Sequence, residues 1–336
     1  MTSATRRPVA IVPAAGVGAR LRPHTHTVPK ALVNVAGKPI LAHILDGLVQ
    51  QGIERVVLVI GYMGDAIRAY TDKRYAGMIE YVEQPERMGL GHAVHLTRAA
   101  VSEGPVVIIL GDTILHADVG AFLQGENPVL GVKEVEDPRR FGIAQVEKGW
   151  VKALIEKPEH PAGNLALVGI YYLPEVAQLH RQLDHMIANQ LTTKGEYQLT
   201  DALALMIADG VQMKTETVEG WFDCGKPETL LSTNAYLLEL APRAPEIPGV
   251  TILHPVAIDP TARVTRSIIG PNVSIAGGAV VHNAIVHDTI INENAEVRDI
   301  VLEGSLVGEN AVVKGGFHRL NVGDSSEIDF SGRSEG

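Results

Sequence analysis

The amino-acid sequence predicts an α/β protein in two parts: a mostly parallel β-sheet flanked by helices, followed by a short parallel β-helix. In the first part, apolar runs alternate with helical patterns from Val9 to about Glu134. A proline-rich segment, Ala241–Gly249, then indicates a linker. Beyond it, an aliphatic residue recurs at every sixth position, which is typical of stacked β-helix coils. We therefore divide the chain into residues 1–243 and residues 244–336.

The elements of the first part follow from its apolar patterns. Short continuous apolar runs indicate buried parallel strands, and apolar residues confined to one face indicate helices. The predicted strands are Val9–Val12, Val56–Ile60, Ile79–Val82 and Val106–Leu110, and the predicted helices are Ile40–Gln51 and Gly91–Val101. Ligands bind beyond the carboxyl ends of the strands in such sheets. Glycine-rich and acidic residues directly after these runs are therefore candidate site residues.

The middle of the chain is less regular, and the end of the chain is repetitive. The predicted strands of the middle are Val129–Val132, Phe141–Val146 and Leu165–Tyr172, and the predicted helices are Glu175–Ala188 and Tyr197–Ala208. After the linker, Ile291–Val297 and Val307–Val313 match at an offset of 16 residues. Ile269–Ile275 and Ile275–Val281 share the six-residue spacing. The alternative to a β-helix is an irregular β-sandwich.

Composition excludes several classes of protein. The net charge of −10 argues against a general nucleic-acid binder, and an aromatic content of 4% argues against base-stacking surfaces. No apolar run approaches the roughly 20 residues of a membrane span. The N-terminus lacks the apolar segment of a signal peptide, so we expect a cytoplasmic location without membrane contact. The single cysteine, Cys224, excludes an internal disulfide, and we expect it to serve in packing.

The loop after the first strand has the composition of a phosphate-binding loop. Small residues allow the backbone to approach a ligand closely, and consecutive backbone N–H groups form a concave anion site. The small residues are Ala14, Ala15, Gly16 and Gly18. Arg20 and Lys30 add the positive charge that a nucleoside triphosphate requires.

Two common motifs do not match this loop. A P-loop requires Gly-Lys-Ser/Thr, whereas Gly37 and Lys38 are followed by Pro39. A dinucleotide fingerprint requires a third glycine, and that position is Leu21. The loop with A-A-G-x-G-A-R-L, then P-K and G-K-P, instead resembles the signature of the sugar-phosphate nucleotidylyltransferases. Ala19 departs from that signature, which commonly has Thr.

Further motifs follow in the order typical of that family. They are V-E-Q-P at Val82–Pro85, G-L-G-H-A at Gly89–Ala93, L-G-D at Leu110–Asp112, F-G at Phe141–Gly142, E-K-P at Glu156–Pro158, L-V-G at Leu167–Gly169, G-E-Y-Q-L-T-D at Gly195–Asp201 and W-F-D-C-G-K-P-E at Trp221–Glu228. Phe141 stands where Tyr is common in the family. The resemblance is greatest to the long-form thymidylyltransferases, which have a Rossmann-like sheet and a C-terminal left-handed β-helix. Gly315–Ile328 also resembles the end of that form.

The resemblance implies a reaction and a role for each matching residue. A sugar 1-phosphate, α-D-glucose 1-phosphate, would attack the α-phosphorus of dTTP and expel pyrophosphate. Arg20 would bind the β- and γ-phosphates and Lys30 the α-phosphate, while Asp112 and Asp223 would share a Mg²⁺ ion. The nucleotide-binding residues would be Ala14, Ala15, Gly16, Gly18, Gln84 and Gly89, and the sugar-phosphate-binding residues Gly142, Glu156, Lys157 and Val168.

Alternatives remain open at the level of the sequence. The same chemistry could use UTP or GTP with a mannose or heptose phosphate. An acyltransferase would use His282, His287 or His318 as a base, and a non-catalytic sensor would bind nucleotide sugars without turnover. We expect a homo-oligomer, because β-helix coils offer flat surfaces for self-association. His24 and His26 are interpreted as loop-lining residues, and His92 and His95 as ordinary helix residues.

Overall fold

A computed structural model describes residues 7–241, 244 and 246–316. The strands of the first part are β1 (Val9–Pro13), β2 (Asn34–Val35), β3 (Lys38–Pro39), β4 (Val56–Ile60), β5 (Ile79–Glu83), β6 (Val106–Ile109), β7 (Thr113–His116), β8 (Val129–Glu134), β9 (Gly142–Glu147), β10 (Trp150–Glu156), β11 (Leu165–Leu173), β12 (Lys214–Thr217) and β13 (Gly220–Asp223). The helices are α1 (Ile40–Gln50), α2 (Gly64–Arg74), α3 (Leu90–His95), α4 (Val119–Phe122), α5 (Val176–Ala188), α6 (Leu199–Ala208) and α7 (Pro227–Glu239). Each predicted strand and helix is present; β4 has the predicted ends, and the ends of the others are shifted by a few residues. The long helix predicted over Gly91–Val101 is divided into α3 and a 3₁₀ segment, Leu96–Ala99.

A nine-stranded sheet forms the centre of the first part, in the order β10-β9-β11-β6-β1-β4-β5, with β8 beside β11 and β12 beside β8. β1 lies between β4 and β6 and is parallel to both. β11 runs antiparallel to its neighbours β6, β8 and β9. Separate apolar clusters cover the sheet, one containing Leu41 and Leu45 of α1 and the other Leu179 and Leu203 of α5 and α6. The predicted sheet with flanking helices is confirmed, and its antiparallel strands lie in the region whose pattern was irregular.

The second part is a parallel β-helix built of three sheets. Its strands are β14 (Thr251–Ile252), β15 (Val256–Ile258), β16 (Arg263–Thr265), β17 (Ile268–Ile269), β18 (Val273–Ile275), β19 (Val280–His282), β20 (Ile285–His287), β21 (Ile290–Ile291), β22 (Glu296–Arg298), β23 (Val301–Glu303), β24 (Leu306–Val307) and β25 (Val312–Lys314). The sheets have the orders β14-β17-β20-β23, β15-β18-β21-β24 and β16-β19-β22-β25.

The internal repeat in the sequence corresponds to successive coils. Ile291 pairs with Val307, and Val297 pairs with Val313, in parallel register. Val281 and Val297 are completely buried in the core of the β-helix. The β-helix prediction is therefore confirmed, and the three parallel sheets are consistent with a left-handed β-helix. The β-sandwich alternative is wrong, because the strands of each sheet are parallel.

A buried asparagine joins the two parts of the molecule. Asn234, on α7, is fully buried, and its Oδ1 accepts hydrogen bonds from the Ala36 backbone N–H at 2.9 Å and from Ser274 Oγ at 2.8 Å. Its Nδ2 donates to the backbone carbonyl of Asn272 at 2.9 Å. One side chain thus connects α7, the β2–β3 hairpin and the β-helix.

Some sequence predictions fall partly or wholly outside the described residues. Residues 242, 243 and 245 of the predicted linker and most of the tail motif Gly315–Ile328 are among these, as is His318. Ala244 and Ile247 of the linker pack against the core of the β-helix. Among the described residues, no helix is long and apolar enough to cross a membrane.

Candidate active site

The glycine loop leaves the central strand of the sheet and is held by short local contacts. Gly18 has φ +65°, and a Cβ atom there would lie 2.9 Å from Lys30 Cβ. Thr25 Oγ1 donates a hydrogen bond of 2.8 Å to the Gly18 carbonyl. Gly16, by contrast, is exposed, and a Cβ there would meet no atom within 4 Å. The fold therefore needs a glycine at position 18, whereas the space at position 16 is free for a ligand.

Asp112 and Asp223 are brought together by a two-stranded ladder. Asp112 follows β6 and immediately precedes β7, and β7 pairs antiparallel with β13. In this register, Thr113 lies opposite Asp223. The backbone N–H of Cys224 also donates to the Asp112 carbonyl at 3.3 Å. Two aspartates from distant parts of the chain are therefore held close together by this ladder.

Lys30 lies between these two carboxylates. Its Nζ donates to Asp112 Oδ2 at 2.6 Å and lies 4.0 Å from Asp223 Oδ1. The Lys30 side chain is only 7% exposed, so its charge interacts with the carboxylates with little screening by water. Arg20 Nη2 lies 4.0 Å from Asp223 Oδ2 and is more than half exposed. The four predicted catalytic residues thus converge beside the glycine loop.

The two aspartates fit a Mg²⁺ ion better than a structural metal site. Among the described residues, no group of three or more His, Cys, Asp or Glu side chains could hold a metal ion. Mg²⁺ is commonly bound by one or two carboxylates together with phosphate oxygens and water. Asp112 and Asp223 are both partly exposed and supply that donor set without other protein ligands.

Cys224 is part of the packing behind this site, as expected from the sequence. The thiol is completely buried, and its Sγ lies near the Phe222 carbonyl and Thr233 Oγ1. Burial raises the pKa of the Cys224 thiol to about 12. At neutral pH the residue is therefore a protonated thiol, which is a poor nucleophile.

Gln84 lies at the end of β5, close to the glycine loop. A Cβ on Gly61 would be 3.0 Å from both Ala15 Cβ and the Gln84 carbonyl, so Gly61 separates the loop from Gln84. The Gln84 side chain is 6% exposed and donates from Nε2 to the Gly89 carbonyl at 3.1 Å. Gly89 has φ +104°, and a Cβ there would lie 2.6 Å from the Tyr197 carbonyl. A cavity of about 600 Å³ is bounded here by Val17, Gly61 and Gln84.

The predicted sugar-phosphate residues form a second polar cluster. Gly142 pairs with Glu156 across β9 and β10, and a Cβ at Gly142 would lie 2.8 Å from Thr200 Oγ1. Thr200 Oγ1 donates to Glu156 Oε2 at 2.7 Å, and Lys157 Nζ lies 3.0 Å from Glu156 Oε1. Lys157 has φ +43° at the end of this hairpin. The cluster thus presents a carboxylate and an ammonium group in fixed relative positions.

Two neighbouring side chains extend this cluster. Burial raises the pKa of the Asp201 carboxyl, and the negative charge of Glu156 adds to that effect. The Phe141 ring packs edge-on against Trp221 at 4.8 Å, which connects the cluster to β13 and hence to Asp223. The Val168 side chain is 1% exposed in the core, so only its backbone is placed to contribute to binding.

Sequence reasoning did not assign Thr200 or His92 to the site. Thr200 lies within the G-E-Y-Q-L-T-D motif, but nothing in the spacing indicates its contact with Glu156. His92 was interpreted as an ordinary helix residue, whereas its Nδ1 lies 3.2 Å from Gln84 Nε2. The sequence could have indicated this contact, because His92 lies three residues after Gly89, in the first turn of the helix α3 that begins directly after that glycine.

A separate cavity of about 830 Å³ lies between the glycine-loop region and the β-helix. Its lining includes His24, Lys38 and Arg74 from the first part, and Glu293 and Glu309 from the second. His24 is thus a lining residue, as the sequence predicted. Its lining does not include the four predicted catalytic residues, Arg20, Lys30, Asp112 and Asp223.

Comparison with known proteins agrees with this geometry. The nucleotidyl transferase family model matches residues 9–239. The chain is 33% identical to glucose-1-phosphate thymidylyltransferase of Streptomyces antibioticus, over 96% of this chain and 99% of that protein. It is 31% identical to low-salt glycan biosynthesis nucleotidyltransferase Agl11 of Haloferax volcanii, over 93% and 97% of the two chains.

Relatives that match only the first part of the chain include an enzyme with a different nucleotide in its name. UTP–glucose-1-phosphate uridylyltransferase AglF of Haloferax volcanii is 35% identical over 65% of this chain and 92% of its own. Among solved structures, a candidate glucose-1-phosphate thymidylyltransferase from Bacillus anthracis, in complex with sucrose, is similar with a TM-score of 0.60 and 26% identity, covering 68% of this chain and 95% of that one. Because the family model spans most of the chain, the protein belongs to the nucleotidyl transferase family as a sugar-phosphate nucleotidyltransferase.

Proposed function

We propose that this enzyme transfers a thymidylyl group from dTTP to α-D-glucose 1-phosphate, giving dTDP-glucose and pyrophosphate. The observation that carries the proposal is the convergence of Lys30, Asp112 and Asp223 beside a glycine loop with free space at Gly16. Both substrates are anions, so positioning and charge neutralisation are the main requirements for in-line displacement. The nearly full-length similarity to glucose-1-phosphate thymidylyltransferases supports the choice of substrates.

The two cations have different positions and therefore different proposed roles. Arg20 is exposed at the mouth of the loop and can bind the β- and γ-phosphates with its planar guanidinium group, which favours departure of pyrophosphate. Lys30 is buried and held by Asp112, so its ammonium is oriented before substrate binds and can stabilise charge that develops on the α-phosphate. Asp112 and Asp223 would hold a Mg²⁺ ion, which when bound supplies Lewis-acid stabilisation of phosphate charge.

The sugar-phosphate half of the site is assigned to the cluster around Glu156. The Lys157 ammonium would bind the attacking sugar phosphate, while Glu156 accepts hydrogen bonds from Thr200 and from sugar hydroxyls. Gly142 leaves room beside these groups, because any side chain there would contact Thr200 and Glu156. Phe141, where the family commonly has Tyr, removes one hydroxyl next to the sugar.

UTP is the second candidate nucleotide, because a uridylyltransferase is among the relatives of the first part of the chain. Gln84 would pair with the edge that thymine and uracil share, so it does not distinguish the two bases. Discrimination would then depend on the thymine methyl and on the ribose 2′-hydroxyl. One methyl group in an apolar pocket is worth only about 1–3 kcal/mol.

The experiment that tests the proposal is pyrophosphate release with Mg²⁺, measured across dTTP, UTP, GTP and ATP and across several sugar 1-phosphates. We expect the highest kcat/KM for dTTP with α-D-glucose 1-phosphate. Release far higher with UTP or GTP would contradict the thymidylyl assignment. Nucleotide binding without release for any pair would instead favour a non-catalytic sensor.

We further propose that residues 1–243 form the catalytic domain, that residues 244–336 form the β-helix domain, and that the enzyme is a cytoplasmic homo-oligomer. Exposed aliphatic side chains support self-association, since Ile268, Ile285 and Val301 are aligned on neighbouring strands of one β-helix face. The single cysteine supports a reducing compartment.

A further inference from the structure

The orientation of the Gln84 amide is determined by its neighbours. Nε2 lies 3.1 Å from the Gly89 carbonyl oxygen, which can only accept a hydrogen bond. The opposite orientation would place two acceptor oxygens in contact, so the amide nitrogen must face Gly89. The Gln84 side chain is almost completely buried in this position, which prevents water from replacing either contact.

His92 accepts a hydrogen bond from the second proton of the same amide group. Its Nδ1 lies 3.2 Å from Gln84 Nε2, and since that nitrogen carries only protons, Nδ1 must accept. The imidazole is therefore neutral, with its proton on Nε2. Burial lowers the pKa of His92, and the nearby His95 lowers it further, while the carboxylate and the backbone carbonyl of Glu86 act in the opposite direction.

The remaining atom of the amide, Oε1, has no hydrogen-bond partner among the described residues. Gln84 also lines the cavity of about 600 Å³ near the glycine loop. With both amide protons engaged by Gly89 and His92, the group that Gln84 offers to a ligand is an acceptor only. An acceptor matches the N3–H of thymine or uracil and is mismatched to N3 of cytosine, which is itself an acceptor.

We propose that His92 is a specificity-determining positioning residue, which engages the second amide proton of Gln84 so that the site accepts thymine or uracil and rejects cytosine. This inference rests on the proposed role of Gln84 in reading the base. Only a flip of the Gln84 amide would turn its NH₂ group toward cytosine N3, and that flip loses the hydrogen bonds to both Gly89 and His92. Without an acceptor at position 92 the flip loses one hydrogen bond fewer, so the discrimination decreases. His92 does not touch the reacting atoms.

The test is the ratio of kcat/KM for dTTP to that for dCTP, measured at pH 8 with α-D-glucose 1-phosphate and Mg²⁺. His92→Leu removes the acceptor, and we expect the ratio to fall on the order of tenfold, the value of one hydrogen bond. His92→Asn places Oδ1 near the position of Nδ1, and we expect it to retain the wild-type ratio. His95→Leu is the matched control on the same helix, because His95 Nδ1 lies 3.4 Å from Asp184 Oδ1, whereas the histidine in contact with the Gln84 amide is His92.

A pH profile of the wild-type enzyme gives an independent measurement that does not require a folded variant. Protonation of Nδ1 replaces the acceptor with a donor, so we expect the dTTP/dCTP ratio to fall on acidification. In His92→Asn the ratio should not change over the same range. The inference would be overturned if the dTTP/dCTP ratio of the wild type did not change on acidification. It would also be overturned if folded His92→Leu had the same ratio as the wild type.

Gln84→Ala separates this inference from the proposed function. If Gln84 reads the base, Gln84→Ala lowers the ratio whatever His92 does. A lower ratio in Gln84→Ala with no change in His92→Leu would reject the role of His92 and leave base reading by Gln84 intact. No change in either variant would reject base reading itself.

Discussion

At the scale of single residues, the charges of the candidate site balance before any substrate is present. Arg20 and Lys30 contribute two positive charges, and Asp112 and Asp223 contribute two negative charges within 4.0 Å of them. A triphosphate adds several negative charges to this balance. The site therefore requires an additional cation when the nucleotide is bound, which is a physical reason to expect Mg²⁺ dependence independent of the family.

The first prediction concerns the two aspartates. Asp112→Asn and Asp223→Asn should each reduce kcat by about a hundredfold or more, because each removes a charged ligand while keeping the shape of the side chain. Pyrophosphate release at saturating Mg²⁺ measures the effect, and circular dichroism establishes that the variants are folded. Asp118→Asn is the control, since Asp118 is exposed and forms no capping hydrogen bond at α4. A near-normal rate in either active-site variant would refute the metal assignment.

Residues that follow strands could be predicted from the sequence, and residues that act through a neighbour could not. Lys30 and Asp112 were identified because a loop signal and an apolar run point to them. Asp223 depended on the W-F-D motif, because β13 is short and its pairing with β7 is not visible in the sequence. His92 was missed because its partner, Gln84, is defined by the turn between β5 and α3 and not by helical periodicity.

At the scale of elements, the glycine loop combines a position set by the fold with a position open to a ligand. Gly18 requires a positive φ and close packing against Lys30, whereas Gly16 faces open space. A methyl group added at position 18 should therefore reduce stability, whereas a methyl group added at position 16 should weaken ligand binding with little effect on stability. The two alanine variants form a matched pair within one loop.

We predict that Gly18→Ala lowers the free energy of unfolding by about 1–2 kcal/mol, because an L-residue is strained at φ +65°. Gly16→Ala should change stability by less than about 0.5 kcal/mol, as is usual for exposed sites, but should raise KM for dTTP. Urea unfolding and initial rates measure the two effects. If Gly16→Ala leaves KM unchanged, the triphosphate does not contact this part of the loop.

Elements with a strong apolar pattern were predicted well, and elements that depend on tertiary pairing were not. β4 was predicted with its observed ends, since five consecutive apolar residues are all buried. α2 was not predicted, because only Ile67 and Thr71 on it are buried and its pattern is weak. β7 and β13 form a ladder of their own outside the main sheet, and neither has a pattern that distinguishes it from a loop.

At the scale of the whole molecule, Asn234 links the β-helix to the segment that follows Lys30. Its three hydrogen bonds reach Ala36, Asn272 and Ser274; the bond to Ser274 is buried and the other two are partly buried. The hexapeptide pattern predicted the β-helix itself. The junction could not be predicted, because an asparagine within an amphipathic helix gives no indication of a partner elsewhere in the chain.

We predict that Asn234→Ala lowers the free energy of unfolding by about 2 kcal/mol or more, since it leaves two donors and one acceptor without partners in a buried or partly buried position. Ser232→Ala on the same helix is the control, because Ser232 is exposed and bonds only to the preceding turn. Urea unfolding followed by circular dichroism compares the two variants. Equal losses would show that Asn234 does not stabilise the junction.

The pairing of β7 with β13 also has a consequence for the order of folding. Asp112 and Asp223 are more than a hundred residues apart in the chain, and their approach depends on this one ladder. Contacts of long sequence separation form slowly, because closing the intervening loop costs entropy. During synthesis at about 5–20 residues per second, the glycine loop and Asp112 emerge several seconds before β13 can join them. A nascent chain therefore holds the glycine loop well before the candidate site is complete, and the site can assemble only when nearly all of the first part has been made.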